Sequence, residues 1–192
     1  MFRVRFLLSG AALLGIGLGL AFADARHDDT ATINDFEARV AKYLEARKKE
    51  AGSAPRPTNS ADKLAGAQQD RATKVQEKLP SAQGDIFTRE IAEYMRRQIS
   101  TTLSGPEGTK VRSSLRHGEP LQGLKLRVNQ VYPEGIPLQS TPPTLLLNLP
   151  PLPKDLEYRF VGRALVLHDT VPNLIVDFIS EAPNNIRPPW TL

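Results

Sequence analysis

Ser60-Ala-Asp-Lys63 is the first stretch whose spacing could do chemistry. A Ser-x-x-Lys pair on one helical turn lets the lysine work on the serine hydroxyl in acyl transfer. The Ser-Asp-Asn and Lys-Thr-Gly elements that complete such a site are absent. Ser60 also stands where a linker gives way to a helical pattern, and there a serine caps the helix. His27-Asp28-Asp29 could hold copper or nickel if the histidine were third in a processed chain. Cleavage after Ala23 makes it fourth and cleavage after Ala25 makes it second. His117 and Glu119 are neighbours, and His168-Asp169 closes an aliphatic run, but no His-Glu-x-x-His or comparable ligand spacing occurs. A serine, a histidine and an aspartate can be picked from these parts, yet no Gly-x-Ser-x-Gly elbow supports a hydrolytic triad. No residue is therefore assigned a catalytic, cofactor-binding or metal-ligating role, and the expectation is a non-enzymatic protein without a cofactor.

Two further features bear on partners. Arg96, Arg97, Arg112, Arg116, Lys125 and Arg127 form either a basic face for an anionic partner or a solvated rim, and the near-neutral charge of residues 24–192 favours the rim. Between Pro133 and Pro153 lie seven prolines, at 133, 137, 142, 143, 150, 151 and 153. Such a segment is extended in advance and loses little entropy on docking. It either enters a groove in a partner or straps the protein's own sheet, and the strap is the simpler reading. No basic–aromatic pattern of a nucleic-acid reader appears, so nucleic acid is not expected as a partner.

The elements that position these residues begin with an export signal. Arg3 and Arg5 precede an apolar run from Phe6 to Leu20, and Ala21-Phe22-Ala23 offers small residues at −3 and −1. That is the pattern of a secretory signal peptide over residues 1–23. The run of 15 residues is short against the roughly 20 that span a bilayer. Gly15-x-Gly17-x-Gly19 lies inside this stretch and is no nucleotide loop. Removing the signal takes two of the 25 Lys and Arg residues and none of the 21 acids, which leaves 23 cations against 21 anions. The expected location is the periplasm or the medium, with an envelope protein as a possible partner class. The absence of cysteine excludes disulfides, thiolate metal sites and a lipoprotein anchor.

Texture divides the remainder. Residues 24–104 hold three prolines and 27 charges, whereas residues 105–192 hold thirteen prolines and 17 charges. The expected organisation is a helical, partly flexible region over 24–82, a small α+β domain over 83–182 and a loose tail over 183–192. A first helix is predicted over 34–50, with Asn34 as cap, Glu37 three residues on, and Phe36, Val40, Tyr43 and Leu44 on one stripe. A second, weakly apolar helix is predicted over 61–79. A third, over 85–103 and capped by Asp85, carries Phe87, Ile91, Tyr94, Met95 and Ile99 on one face. A short helix follows over 106–115. Strands are predicted at Leu124–Val128, Leu156–Val161, Ala164–Asp169 and Asn173–Ile179, the last three forming a meander, and Thr144–Leu149 is predicted as a short strand or an extended edge. Gly162-Arg163 suits a II′ hairpin turn. The predicted fold class is α+β, with the C-terminal meander packed on the third helix through Tyr158, Phe160, Val166 and Val176.

Three stretches carry a resemblance. They are Pro142-Pro143-Thr-Leu-Leu-Leu-Asn-Leu-Pro-Pro-Leu-Pro153, Leu156-Glu-Tyr-Arg-Phe-Val-Gly-Arg-Ala-Leu-Val-Leu-His-Asp169 and Asn173-Leu-Ile-Val-Asp-Phe-Ile179. Together they resemble an uncharacterised family of exported bacterial proteins, from about Asp85 to Pro183. The resemblance implies secretion and a shared small domain, and no activity. The pieces Tyr158-Arg159, Val161-Gly162 and Ile175-Val176-Asp177-Phe178-Ile179 are also similar, more weakly, to the hairpin of the periplasmic nickel–cobalt homeostasis family. The histidine-rich stretches of that family are missing here, and no ligand residue is carried over. The leading expectation is thus an exported binding or accessory protein, and the alternative is an envelope metal-homeostasis accessory factor.

Overall fold

The computed structural model describes residues 19–53, 58–116, 125–132 and 141–182, with backbone alone for 19–28 and 114–116. The fold is α+β, as predicted. Helices α1 (Gly19–Ala51), α2 (Ala61–Lys78), α3 (Arg89–Ser104), α4 (Gly108–Arg116) and α5 (Pro143–Leu146) precede strands β1 (Leu156–Val161), β2 (Ala164–Asp169) and β3 (Leu174–Ile179). The strands form an antiparallel sheet in the order β1-β2-β3. None of the described helices is long and apolar enough to cross a membrane.

Period-two alternation divides the sheet residues between its faces. Leu156, Tyr158, Phe160, Leu165, Leu167, Val176 and Ile179 join Ile91, Met95 and Ile99 of α3 in the main core. Val166 lies on the other face with Val161, Ala164 and Ile175. This corrects the prediction that Val166 faces the third helix: Val166 pairs with Arg159, one residue out of phase with Tyr158 and Phe160. A bulge between Leu167 and His168 lets adjacent Val176 and Asp177 fit on the helix side, with Leu167 opposite Asp177 and His168 opposite Ile175. At the β1–β2 turn Gly162 has φ +59 and Arg163 has no positive φ, as a II′ turn requires.

α1 belongs to the same core. Phe36 stacks on Phe87 at 6.0 Å and on Tyr158 at 6.5 Å between ring centroids. The predicted stripe is correct in phase, with Phe36 and Val40 buried and Tyr43 and Leu44 partly so. The predicted start is not. The helix runs through Asn34 from Gly19, and the stretch between them holds no proline or further glycine to stop it. The expected processing point after Ala23 falls within α1. Gly52, at φ +78, ends the helix by donating its N–H to the Lys48 carbonyl at 3.0 Å. α2 adds Ala72 and Val75, which close over Ala51 and Leu174.

Three other boundaries differ. Thr88, not Asp85, caps α3; its hydroxyl accepts from Ile91 N–H, while Asp85 closes the preceding turn by accepting from Ala82 N–H at 2.7 Å. Residues 125–127 form no strand. The chain reaches the sheet later: Asn129 donates to Ile175 O, Ile175 to Gln130 O and Tyr132 to Asn173 O, which covers the β3 edge. Alternation at 124–128 reflects Leu126 packing on the outer face rather than ladder pairing. The aliphatic run 144–149 opens as a helical turn, α5, begun by Pro143 and burying Leu145, and Leu149 joins the core just beyond it. After it, Tyr158 donates its hydroxyl to the Pro150 carbonyl at 3.0 Å, and Leu156 N–H reaches Pro153 O at 2.9 Å. From Thr141 onward the proline-rich segment straps the sheet; residues 133–140 and the tail 183–192 lie outside the described residues.

Candidate functional site: a cleft between α1 and the approach to α3

A cleft of about 610 Å³ opens between α1 and the approach to α3. One wall is the flank of α1 that carries Asp35, Ala38, Arg39, Lys42, Tyr43 and Ala46, which helical spacing sets on one side. The other is the segment from Leu79 to Ile86, with Val176 behind it. Arg39 crosses between the walls: Nε meets Asp35 Oδ2 at 2.8 Å and Nη1 donates to the Asp85 carbonyl at 2.8 Å. Lys42 forms no ion pair among the described residues. The lining is mainly apolar, with charges at the α1 side.

Asp177 holds the second wall in place. Its carboxylate is fully buried and accepts from the backbone N–H groups of Gly84, Ile86 and Phe87 at 2.8–3.2 Å, and from Phe178 N–H at 2.8 Å. A buried carboxylate is tolerable when donors surround it. Gly84, at φ +93, lets the loop fold around it.

The α1 wall is fastened from behind. Tyr43, which lines the cleft, donates its hydroxyl to Asp169 Oδ2 at 2.9 Å. Arg47, one turn on, bonds Asp155 Oδ2 through Nη2 at 2.8 Å and places Nε 3.2 Å from Asp169 Oδ2. Val171 N–H supplies Asp169 Oδ1 at 3.0 Å. Burial pushes the Asp169 carboxyl above the usual aspartate range, with the Arg47 charge pulling the other way. Burial likewise raises the Tyr43 hydroxyl, and the Asp169 charge adds to it, so the tyrosine stays a donor.

His168 faces the opposite side of the sheet. Its Nδ1 lies 2.8 Å from Glu157 Oε1 and its Nε2 lies 2.9 Å from Asn173 Oδ1, with the Tyr132 ring 4.7 Å away. Arg159 donates to the same Glu157 oxygen at 2.7 Å. Both ring nitrogens are engaged and the residue is buried, which is the arrangement of a core histidine. Neighbouring His168 and Asp169 therefore do not share a site.

The other sequence candidates are also separated. Ser60 caps α2 by accepting from Lys63 N–H at 3.4 Å. Asp29 pairs with Arg97 at 2.5 Å; the side chains of His27 and Asp28, and all of His117 and Glu119, lie outside the described residues. Three of the cations have partners of their own, Arg97 with Asp29 among them, and the side chain of Arg116 lies outside the described residues. Arg96 donates to Ser180 O, and Arg112 to Leu103 O and Thr109. Among the described residues no three His, Asp or Glu side chains gather as metal ligands. Sequence reasoning missed Tyr43, Arg47, Asp155 and Asp177 as polar anchors. Asp177 carried a signal, since an acid inside Leu-Ile-Val-Asp-Phe-Ile must be paired if the strand is buried.

Compared with protein-family models, with curated proteins and with solved structures, the chain matches none.

Proposed function

We propose that this chain is an exported, non-enzymatic binding protein of the bacterial envelope that seats a ligand in the cleft between α1 and the approach to α3. The cleft carries this reading. Its size suits a small ligand, its apolar lining suits an apolar body, and unpaired Lys42 suits an acidic group on that body. The polar side chains that sequence reasoning weighed for catalysis support a binding role by being committed elsewhere: Ser60 to a helix cap, His168 and Asp169 to opposite faces of the sheet. Export rests on the signal-like residues 1–23.

Calorimetric titration tests the cleft with laurate as an acidic probe and dodecylamine as its cationic counterpart. Laurate should bind and dodecylamine should not. Lys42→Gln should weaken laurate several-fold, and Ala38→Trp, which fills the cleft from the exposed flank of α1, should abolish it. Equal binding of both probes, or unchanged affinity in both variants, rejects this seat. Intact mass of protein from the envelope fraction tests export: a chain beginning at Asp24 agrees with it, and a chain retaining Met1 through Ala23 counts against it.

A further inference from the structure

Two carboxylates share one buried guanidinium where α1 meets the sheet. Asp155 and Asp169 lie 2.8 and 3.2 Å from Arg47 nitrogens, and the side chains of Arg47 and Asp169 are 4% and 0% exposed. The group holds two negative charges against one positive in a place water barely reaches. Like charges sharing a desolvated site favour uptake of a proton by one of them. Asp169 is the one without solvent, since the Asp155 side chain is 24% exposed.

The groups that face Asp169 are few. α1 contributes Tyr43 and Arg47, and the approach to β1 contributes Asp155. The following turn contributes Val171 N–H, and among the described residues the α2 side chain bonded beside it is neutral Gln68, which donates to the Thr170 carbonyl. His168 points to the other face. Arg47 Nε and Nη1 are buried without a well-directed acceptor, so the three charges do not close into a satisfied network. A proton on Asp169 removes the surplus charge, leaves the Asp155–Arg47 bond intact and still leaves oxygen lone pairs for Tyr43 and Val171.

We propose that Tyr43, Arg47, Asp155 and Asp169 form a proton-operated latch, in which protonation of Asp169 tightens the last turns of α1 onto the sheet and deprotonation loosens them. The latch stands on its own geometry. Its consequence for ligand binding, through the cleft wall that Tyr43 lines, rests on the proposed function above.

The test uses the full chain without ligand, so its failure is distinct from failure of the laurate titration. Carboxyl ¹³C NMR follows Asp169, and amide hydrogen exchange, corrected for intrinsic rates, follows residues 40–51 from neutral pH down to pH about 4. Asp169 should titrate above its ordinary 3.8. The folded chain then binds the proton more tightly than the unfolded one, so protection must rise as pH falls through that titration. The rise should be larger in residues 40–51 than in β2. Asp155→Asn should shift the titration to lower pH, and Asp169→Asn should hold residues 40–51 at high protection throughout. Should Asp169→Asn not fold, the wild-type and Asp155→Asn titrations decide the matter. Titration of Asp169 at or below 3.8, or protection that is flat or changes uniformly over the chain, overturns the latch.

Discussion

Phe87 donates its backbone N–H to Asp177 Oδ2 at 2.8 Å, tying the residue that opens the α3 face to the middle of β3. With Gly84, Ile86 and Phe178 contributing as well, the carboxylate is the fixed point around which the loop ahead of α3 is wound. Asp177→Asn keeps the shape but turns an amide N–H₂ toward a group of donors. It should cost about 2–4 kcal/mol, since a buried acceptor for several N–H groups is replaced by a partly mismatched one. Thermal unfolding measures this; an unchanged midpoint would show that the loop does not depend on the charge.

The aromatic stack gives a second prediction. Phe87→Ala and Phe160→Ala should each cost about 3–5 kcal/mol, because both are buried in the main core. Phe36→Ala should cost as much, and the Phe36/Phe87 double variant should cost less than the sum, because each ring is the other's neighbour. Exposed Lys48 should tolerate replacement within about 0.5 kcal/mol. Additive losses for Phe36 and Phe87 would mean that α1 and the α3 approach do not share a core.

At the hairpin turn, Gly162→Val meets open space, so any loss comes from the backbone alone. A β-branched residue at φ +59 should cost about 1–3 kcal/mol. Arg163 needs no positive φ and should accept most residues. Chemical denaturation of both variants checks the contrast.

Ser60 and Lys63 separate capping from acylation. Ser60→Ala should lower stability by about 0.5–1 kcal/mol through the lost cap of α2, and Lys63→Gln should leave it unchanged. Incubation with a β-lactam followed by intact-mass measurement should show no adduct. An adduct that disappears in Ser60→Ala would give the Ser-x-x-Lys spacing a chemical role.

A metal-linked accessory role makes the opposite demand of melting experiments. Nickel, cobalt or copper should leave the melting midpoint of the described fold where it is, since its buried histidine has both nitrogens engaged. Stabilisation that grows with metal concentration would favour the metal-homeostasis alternative over the cleft.

The parts of the fold legible in the sequence are those with local patterns. The β1–β2–β3 meander follows from aliphatic runs cut by Gly162 and the 170–173 turn, and the α3 face from residues three and four apart. What escaped depends on distant partners. Leu126 alternates like a strand residue but packs on the outer sheet face, while the ladder bonds come from Asn129, Gln130 and Tyr132. The run after Pro143 has strand composition and becomes a turn of helix because Pro142 and Pro143 start one and the core takes Leu145. The cleft was invisible for a similar reason: its walls are 79–86 and a flank of α1 that, Tyr43 apart, reads in sequence as the side of an amphipathic helix away from its apolar stripe.

Tyr43 and Asp169 stand 126 positions apart, and Phe36 rests on Tyr158. The N-terminal helix therefore has no finished surface to settle on until the last strands have left the ribosome. The contacts of α1 with the sheet span far more chain than its stack on Phe87, and closing such a loop carries the larger entropy cost. A chain built this way stays threadable for most of its synthesis.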